Sequence, residues 1–429
     1  MRRSLSLLTT TASLLLGATC LTQAMAATAT APQVVVRIVA DDLSTRGLDW
    51  DPGADLPIPN IRALARAGTV MTNASATSPV CVPSRTAMIL GRYPQRPGTA
   101  IWTNPPLHGV FWPLPRGLTT WAEAMGRQGY RSIALGKFPV RRTPDQFPTA
   151  NGYDEFLGLY TNGEPYADPK LWRDGRTWPT RFQGNITDLL AQDAGRFLRA
   201  NRGRRLFVDL TPTAPHRPYA GTPGQWARCS AIKDRDRAGF CATMVGLDDL
   251  VGRVRAELAA QGLTGRSLVM FAGDNGCAEG CDPGPWRGRK GTPYEGATRV
   301  PLIISWPGHV PQGAVYGQQV SLMDLYPTAV DAAGGPRAVP RGLDGVSLMP
   351  ALRGAPQVPH RYLFFSARPS QASVKAGRWK LYQLHGRIEL YDLQADLGER
   401  RNLARARPDV VADLVPRLRA WLGAMQPRP

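Results

Sequence analysis

The feature that most constrains this chain is a recurring unit. A short, nearly continuous apolar run ends abruptly in polar, chemically capable residues, and a segment with helical periodicity follows. VVVRIVA (34–40) ends in Asp41-Asp42, RSIAL (131–135) in Gly136-Lys137, SLVMFAG (267–273) in Asp274-Asn275-Gly276 and PLIISW (301–306) in Pro307-Gly308. RLFVDL (205–210) leads through TPTAP to His216. Helical patterns lie at IRALARAG (61–68), TTWAEAMGRQG (119–129), ITDLLAQDAGRFLRAN (186–201) and MVGLDDLVGRVRAELAAQG (244–262). Runs that are apolar throughout, rather than alternating, belong to strands buried on both faces. Strands that alternate with helices predict an α/β fold, a mostly parallel sheet sandwiched by helices. Arg37 interrupts the first run and is expected at a sheet edge or with its head group snorkelling to water.

In such sheets ligands bind beyond the carboxyl ends of the strands. Asp41, Asp42, Lys137, His216, Asp274 and Asn275 all fall there. Three carboxylates and an amide are hard oxygen ligands. They suit Ca2+, which tolerates irregular coordination, better than Mg2+. Alone, Asp41-Asp42 reads more simply as a helix cap or solvated turn; the second pair, Asp274-Asn275, tips the balance to a metal. The chain has no His/Cys cluster of zinc-like spacing, no HExxH and no Walker loop.

After SLMDLYPTAVDAAGG (321–335) the character changes. Pro- and Gly-rich sequence leads into YLFFSA, GRWKLYQLHGRIELYDL and the helical VVADLVPRLRAWLGAM (410–425), predicting a small C-terminal antiparallel sheet packed by a helix. The expected organisation is a signal peptide over 1–26, a catalytic domain over 27–335 and a C-terminal α+β subdomain over 336–429. The first segment has a basic start, an apolar stretch and the small-residue site Ala24-Met25-Ala26. It is too short and threonine-rich for a stable membrane anchor, Cys20 lacks a good lipoprotein site, and Arg2-Arg3 is better read as an ordinary basic start than as a twin-arginine signal. The mature protein is therefore expected to pass through export machinery and to be periplasmic or secreted. At 43% hydrophobic residues it can bury a large core. Its formal net charge of +19 suits a polyanionic partner such as nucleic acid, anionic lipid or sulfated glycan, although arginine-rich composition explains it equally well. The signal peptide argues against nucleic acid.

Five cysteines remain after Cys20. Cys229 with Cys241 and Cys277 with Cys281 form two local pairs that an oxidising compartment can close, other connectivities remaining open. The cysteine without a near neighbour is Cys81, in TSPVCVPSRTAMILGR (77–92). Pro83 suits a first helical turn and Gly91 suits the end after MIL, so a group at position 81 faces the positive end of a short helix, a favourable place for an anion. Arg85 lies four residues on, on the same face. Singly, Arg85, Lys137 and Lys290 read as solvated cations and His216 as a structural histidine. Around one divalent ion they make a trap for a tetrahedral oxyanion.

Over nearly its whole mature length the chain resembles the type I sulfatases of the alkaline-phosphatase-like superfamily. CVPSRTAMILGR matches the family's C-x-P-S-R-x-x-x-x-x-G-R element; IVADDL, DNG, KGTPYEGATRVPLIISWPG and ELYDLQADLGERRNLA match further elements in the expected order. The resemblance implies that a dedicated maturation enzyme oxidises Cys81 to formylglycine, whose hydrate attacks sulfur and forms a covalent sulfate ester. It implies that Asp41, Asp42, Asp274 and Asn275 hold calcium with an oxygen of modified Cys81. It further implies that Arg85 and Lys137 stabilise the hydrate and the sulfate charge, and that His216 and Lys290 contact sulfate and help protonate the leaving alcohol. The APHRPY element resembles the iduronate-sulfatase-like subset, and with the basic charge it points to a sulfated carbohydrate. Trp286, Arg287 and Arg289 could form a sugar-binding rim beside Lys290, extended by Trp102, Trp112, Trp172 and Trp178, with core packing the default for most tryptophans.

One departure stands out. Where the family has G-K-x-H, or the histidine one position later, this chain reads Gly136-Lys137-Phe138-Pro139-Val140. Proline cannot serve as the base that collapses the covalent sulfate, so slow desulfation, or substitution by another group such as His108, is expected. Competing readings are a phosphonate or phosphodiester hydrolase of the same fold, and a catalytically impaired binder of sulfated glycan.

Overall fold

The computed structural model describes residues 31–45, 56–96, 99–103, 114–115, 117–139, 147–160, 166–177, 184–278, 280–356 and 358–426. The expected signal peptide, His108, Trp112 and Trp178 lie outside the described residues.

Strands in chain order are β1 (Val34–Ala40), β2 (Thr69–Met71), β3 (Ala74–Ser75), β4 (Tyr130–Lys137), β5 (Glu155–Leu159), β6 (Trp172–Arg173), β7 (Arg176–Thr177), β8 (Arg205–Thr211), β9 (Ser267–Gly273), β10 (Leu302–Ser305), β11 (Ala314–Tyr316), β12 (Val320–Ser321), β13 (Leu363–Arg368), β14 (Gln371–Ala376), β15 (Trp379–Leu384) and β16 (Arg387–Asp392). Helices are α1 (Pro59–Arg66), α2 (Cys81–Leu90), α3 (Trp121–Arg127), α4 (Ile186–Ala200), α5 (Pro223–Ala227), α6 (Arg235–Ala260), α7 (Glu295–Thr298), α8 (Leu325–Gly334), α9 (Met349–Leu352) and α10 (Pro408–Ala424).

The apolar runs form the centre of one sheet with strand order β11-β2-β10-β9-β1-β8-β4-β5-β6-β7 among the described residues. From β9 to β5 the neighbours run parallel, and β10 returns antiparallel beside β9. Val34, Val36, Ile38 and Ala40 face one apolar cluster with Ile61 of α1, Phe197 of α4 and Leu247 of α6. Val35 and Val39 face the other, with Met88 of α2, Trp121 of α3 and Leu325 of α8. Both faces are thus covered, as the unbroken apolar runs required. Helix α6 begins ahead of its periodic pattern because Asp234 caps it, accepting from the Arg237 N–H at 2.7 Å.

Arg37 is neither at an edge nor reaching water. It is 2% exposed in β1, between β8 and β9. Its register partner on β8 is Asp209, which accepts from Nε at 2.7 Å and from Nη2 at 2.5 Å; the guanidinium lies over Trp121, 4.6 Å from the ring centroid. A carboxylate one strand away supplies fork-to-fork pairing, so the charge is satisfied in place.

At the C-terminus β13-β14-β15-β16 form a wholly antiparallel sheet. Leu414, Leu418 and Trp421 of α10 pack on Val374, Leu381 and Leu390 of that sheet, in a cluster that also takes in Ala87 of α2. The helix that begins at Cys81 is therefore wedged between the large sheet and the small one. Among the described residues no helix is long and apolar enough to cross a membrane.

Candidate active site

Three strand ends and one helix start build the site. Asp41 and Asp42 follow β1, Lys137 ends β4, Asp274 and Asn275 follow β9, and Cys81 is the first residue of α2. Asp274 N–H donates to the Ala40 carbonyl at 2.9 Å, continuing the β1–β9 pairing just far enough to set the two acidic pairs side by side. Asp42 adopts φ +66°, a left-handed conformation unusual for a residue with a side chain, of the kind found where function holds the backbone. Gly136 must be glycine: its φ is +110°, and a Cβ there would lie 2.3 Å from the Thr211 carbonyl. Helix α2 ends as expected at Gly91, φ +62°.

The Cys81 thiol is fully buried. Sγ donates toward Asp41 Oδ1 at 3.3 Å and lies 3.7 Å from Asp42 Oδ1. Burial, reinforced by Asp41, pushes its pKa far above the ordinary thiol value. The side chain as encoded is thus a protonated thiol and a poor nucleophile.

Each buried carboxylate has its own cation. Asp41 Oδ2 takes Lys137 Nζ at 2.5 Å, Asp42 takes Lys290 Nζ at 2.7 Å, and Asp274 Oδ2 takes Arg85 Nε at 2.7 Å. Burial alone would raise Asp41, but Lys137 and Arg85 outweigh it and hold the carboxyl well below its usual range. Burial and the neighbouring Asp41 charge push Asp274 up. Burial lowers Lys290, yet the carboxylates facing it, Asp42 and Asp41, help to raise it overall. Nδ1 of His216 donates to the Arg217 carbonyl, leaving Nε2 toward the site, 3.5 Å from Asp42 Oδ2. All nine residues singled out in the sequence (Asp41, Asp42, Cys81, Arg85, Lys137, His216, Asp274, Asn275 and Lys290) therefore meet in one place.

The donor set fits a hard divalent cation. Ligand atoms of Asp41, Asp42, Cys81 and Asp274 lie within 4.8 Å of one another. Asn275 Nδ2 donates to Asp42 Oδ1 at 2.8 Å, which leaves its Oδ1 buried without a hydrogen-bond partner among the described residues. A buried, orphaned amide oxygen beside three carboxylates is a ligand in waiting.

Several positioning residues were not legible in the sequence. Tyr166 Oη lies 2.9 Å from the Thr213 carbonyl and 2.8 Å from that of His216, tying down the loop that carries His216. Ser84 Oγ donates to the Asp274 carbonyl at 2.5 Å, fastening α2 to the β9 end. The Lys290 segment is held from both sides. Lys290 N–H donates to the Cys277 carbonyl at 2.8 Å, and Gly296 N–H to the Arg287 carbonyl at 2.7 Å. Below it, buried Glu295 accepts from Lys380 Nζ at 2.5 Å, Arg299 Nε at 2.8 Å and Lys375 Nζ at 3.1 Å, while Glu399 accepts the Glu295 N–H at 3.0 Å. The small C-terminal sheet thereby clamps the segment that carries Lys290.

The suggested aromatic rim is mostly structural. Trp102 packs against the C-terminal cluster, and Trp172 packs on Phe147 and Tyr160. Arg287 bonds Tyr391 Oη and the Glu399 carbonyl, and Arg289 bonds the carbonyls of Ala278 and Cys281. Trp286 donates to Thr45 Oγ1 at 3.2 Å and lies under Arg299. Disulfides join Cys229 to Cys241 and Cys277 to Cys281, and Cys81 is the free cysteine among the described residues. Pro139 lines a cavity of about 10 Å³ with Arg37, Arg85 and Lys137.

Comparison with known proteins bears on the chain as a whole. The sulfatase family model matches residues 33–335, and a model described as N-sulphoglucosamine sulphohydrolase, C-terminal, matches 289–426. N-acetylgalactosamine-6-sulfatase of Mus musculus is 28% identical over 391 residues, covering 83% of this chain and 73% of its own. Arylsulfatase A of Homo sapiens is 28% identical over 461 residues, covering 89% and 86%. Among solved structures, Ps i-CgsB in complex with k-i-k-neocarrahexaose superposes with a TM-score of 0.85 at 26% identity, covering 92% of this chain and 94% of that one.

Proposed function

The chain belongs to the sulfatase family and hydrolyses sulfate esters, and on that premise we propose that it does so through Cys81 converted to formylglycine, with calcium bound beside it, on a sulfated carbohydrate. The observation that carries this reading is the setting of Cys81. It is a buried, protonated thiol at a helix start, within reach of two carboxylates and faced by Lys137, Arg85 and Lys290.

Asp41, Asp42, Asp274 and the orphaned Oδ1 of Asn275 would hold the metal, which supplies positive charge to the oxygens of the reacting group. Hydrated formylglycine supplies an oxygen nucleophile in place of sulfur. The remaining work falls to the chain's own side chains. Three carboxylates are already balanced by three cations, so a bound divalent ion leaves the site positive and attractive to a sulfate ester anion. Lys137 and Arg85, both buried, direct N–H groups at the oxygen on residue 81 and at the sulfate. Lys290 and His216 are the partly exposed members, each 20% accessible at the side chain, and face the direction from which an alcohol group must leave. His216 Nε2 and Lys290 Nζ are placed to deliver its proton.

The carbohydrate assignment rests on the similarity to N-acetylgalactosamine-6-sulfatase and to the structure in complex with neocarrahexaose, and on the net charge of +19. Export through residues 1–26, and maturation by a formylglycine-generating enzyme, complete the proposal. Its test is the mass of the tryptic peptide 67–85 from protein taken through its native route. An aldehyde at Cys81, with inorganic sulfate released from a sulfated sugar, is expected; an unmodified thiol in active protein would end the proposal.

A further inference from the structure

A cleft of about 1100 Å³ opens between the small C-terminal sheet, the first turns of α10 and the segment that follows β11, and none of the nine active-site residues lines it. Its chemistry is two-sided. Arg361 is exposed, lies over Tyr362 at 5.3 Å, and has no carboxylate partner among the described residues. The acidic residues of the wall, Asp409 and Asp413, are already engaged by Arg407 and Arg417. Trp379 stands on the same wall, braced by Arg407 at 4.8 Å. Gln319, bonded to the residue before Arg361, is only 3% exposed. Its Nε2 donates to the His360 carbonyl at 2.5 Å, and its Oε1 has no hydrogen-bond partner among the described residues.

A ligand for this cleft must therefore bring both an anion for the Arg361 guanidinium and a hydrogen-bond donor for the orphaned Gln319 oxygen. A bare oxyanion answers only the first need, and an unsulfated sugar only the second. A hydroxyl-bearing sugar that carries a sulfate ester answers both. The surroundings favour it: residues 336–429 carry 16 Lys and Arg against 7 Asp and Glu. The size is that of an oligosaccharide site, not of an ion site. We propose that this cleft is a second, non-catalytic site for sulfated carbohydrate, gripping sugar units of a polymer away from the one at Cys81. The proposal rests on the carbohydrate reading of the catalytic site.

The test uses the full chain with Cys81→Ala, titrated calorimetrically with a carrageenan hexasaccharide and with its chemically desulfated form. Two sites per chain are expected for the sulfated sugar. Arg361→Ala and, separately, Gln319→Leu, each added to Cys81→Ala, should weaken one of the two at least tenfold and leave the other unchanged. Melting temperatures within a degree of the parent's would show that neither change disturbs the fold. A single site, unmoved by both substitutions, would overturn the second site and leave the catalytic reading standing. No binding at all, where the unsubstituted parent hydrolyses aryl sulfates, would overturn both. Equal binding of the desulfated sugar would overturn the role given to Arg361.

Discussion

Lys375 of β14 and Lys380 of β15 are direct register partners across the small sheet, and both ammonium groups end on one carboxylate, Glu295. Two like charges opposite each other are unfavourable in a sheet; here burial, with Arg299 nearby, pulls Lys375 down to about 7, and Glu295 joins both lysines to the segment carrying Lys290. Glu295→Gln should destabilise the protein by about 3–5 kcal/mol, since it leaves buried cations without their counter-charge. Replacing the set by Glu295→Gln, Lys375→Met and Lys380→Met should recover much of that loss. Chemical denaturation midpoints of the single and triple variants decide it, and a single variant as stable as the parent would show that the clamp contributes nothing.

Removal of the reacting group should separate chemistry from folding. Cys81→Ala is expected to abolish sulfate release while the unfolding transition stays intact. Lys137→Met, which takes one donor from the site, should lower kcat by about 100- to 1000-fold. Progress curves on an aryl sulfate measure both. A Lys137→Met enzyme within tenfold of the parent would remove Lys137 from the oxyanion trap.

Chelation should act on activity and stability together, because three buried carboxylates and one orphaned amide converge at the proposed metal position. Treatment with EGTA is expected to abolish turnover and lower the melting temperature, and calcium should restore both. Calcium at about 100 times its Kd would add about 2.7 kcal/mol. Full activity after exhaustive chelation would refute the assignment.

Pro139 stands where the motif resemblance implies a histidine base, and it lines a small cavity with Lys137. Rapid-quench kinetics should show one fast equivalent of alcohol followed by slower steady turnover. Pro139→His should raise the slow phase at least tenfold and leave the burst rate alone, in keeping with the usual contribution of a general base. Linear progress from the first turnover would contradict slow desulfation.

His360 offers a pH-dependent contact remote from the catalytic groups. Burial pushes its pKa down, but Asp324, 2.8 Å from Nε2, outweighs burial and raises it above the ordinary value near 6.5. A raised folded value means that the stabilisation is fully present below about pH 6.5 and is lost as pH climbs through the folded pKa. The melting-temperature gap between parent and His360→Gln should therefore be wider at pH 5.5 than at pH 8.5. An equal gap at both would show that the pair does not titrate in this range.

Much of the protein is written locally. Unbroken apolar runs ending in Asp41-Asp42, Gly136-Lys137 and Asp274-Asn275 determine buried strands with polar C-terminal ends, and a sheet of such strands leaves those ends nowhere to go but one crevice. Pro83 and Gly91 likewise mark out α2 and set Cys81 at its start. What the tertiary structure alone decided are contacts between charges far apart in the chain. Arg37 looked like a misfit in β1 until the neighbouring strand supplied Asp209 in register. Nothing in their local sequence marks Lys375 and Lys380 for burial; Glu295, some 80 positions earlier, lies beneath both. Tyr166 showed no pattern at all. Apolar periodicity is legible because water imposes it on every residue of an element alike. A buried charge is tolerated only by one particular partner, and which residue that is depends on how distant segments stack.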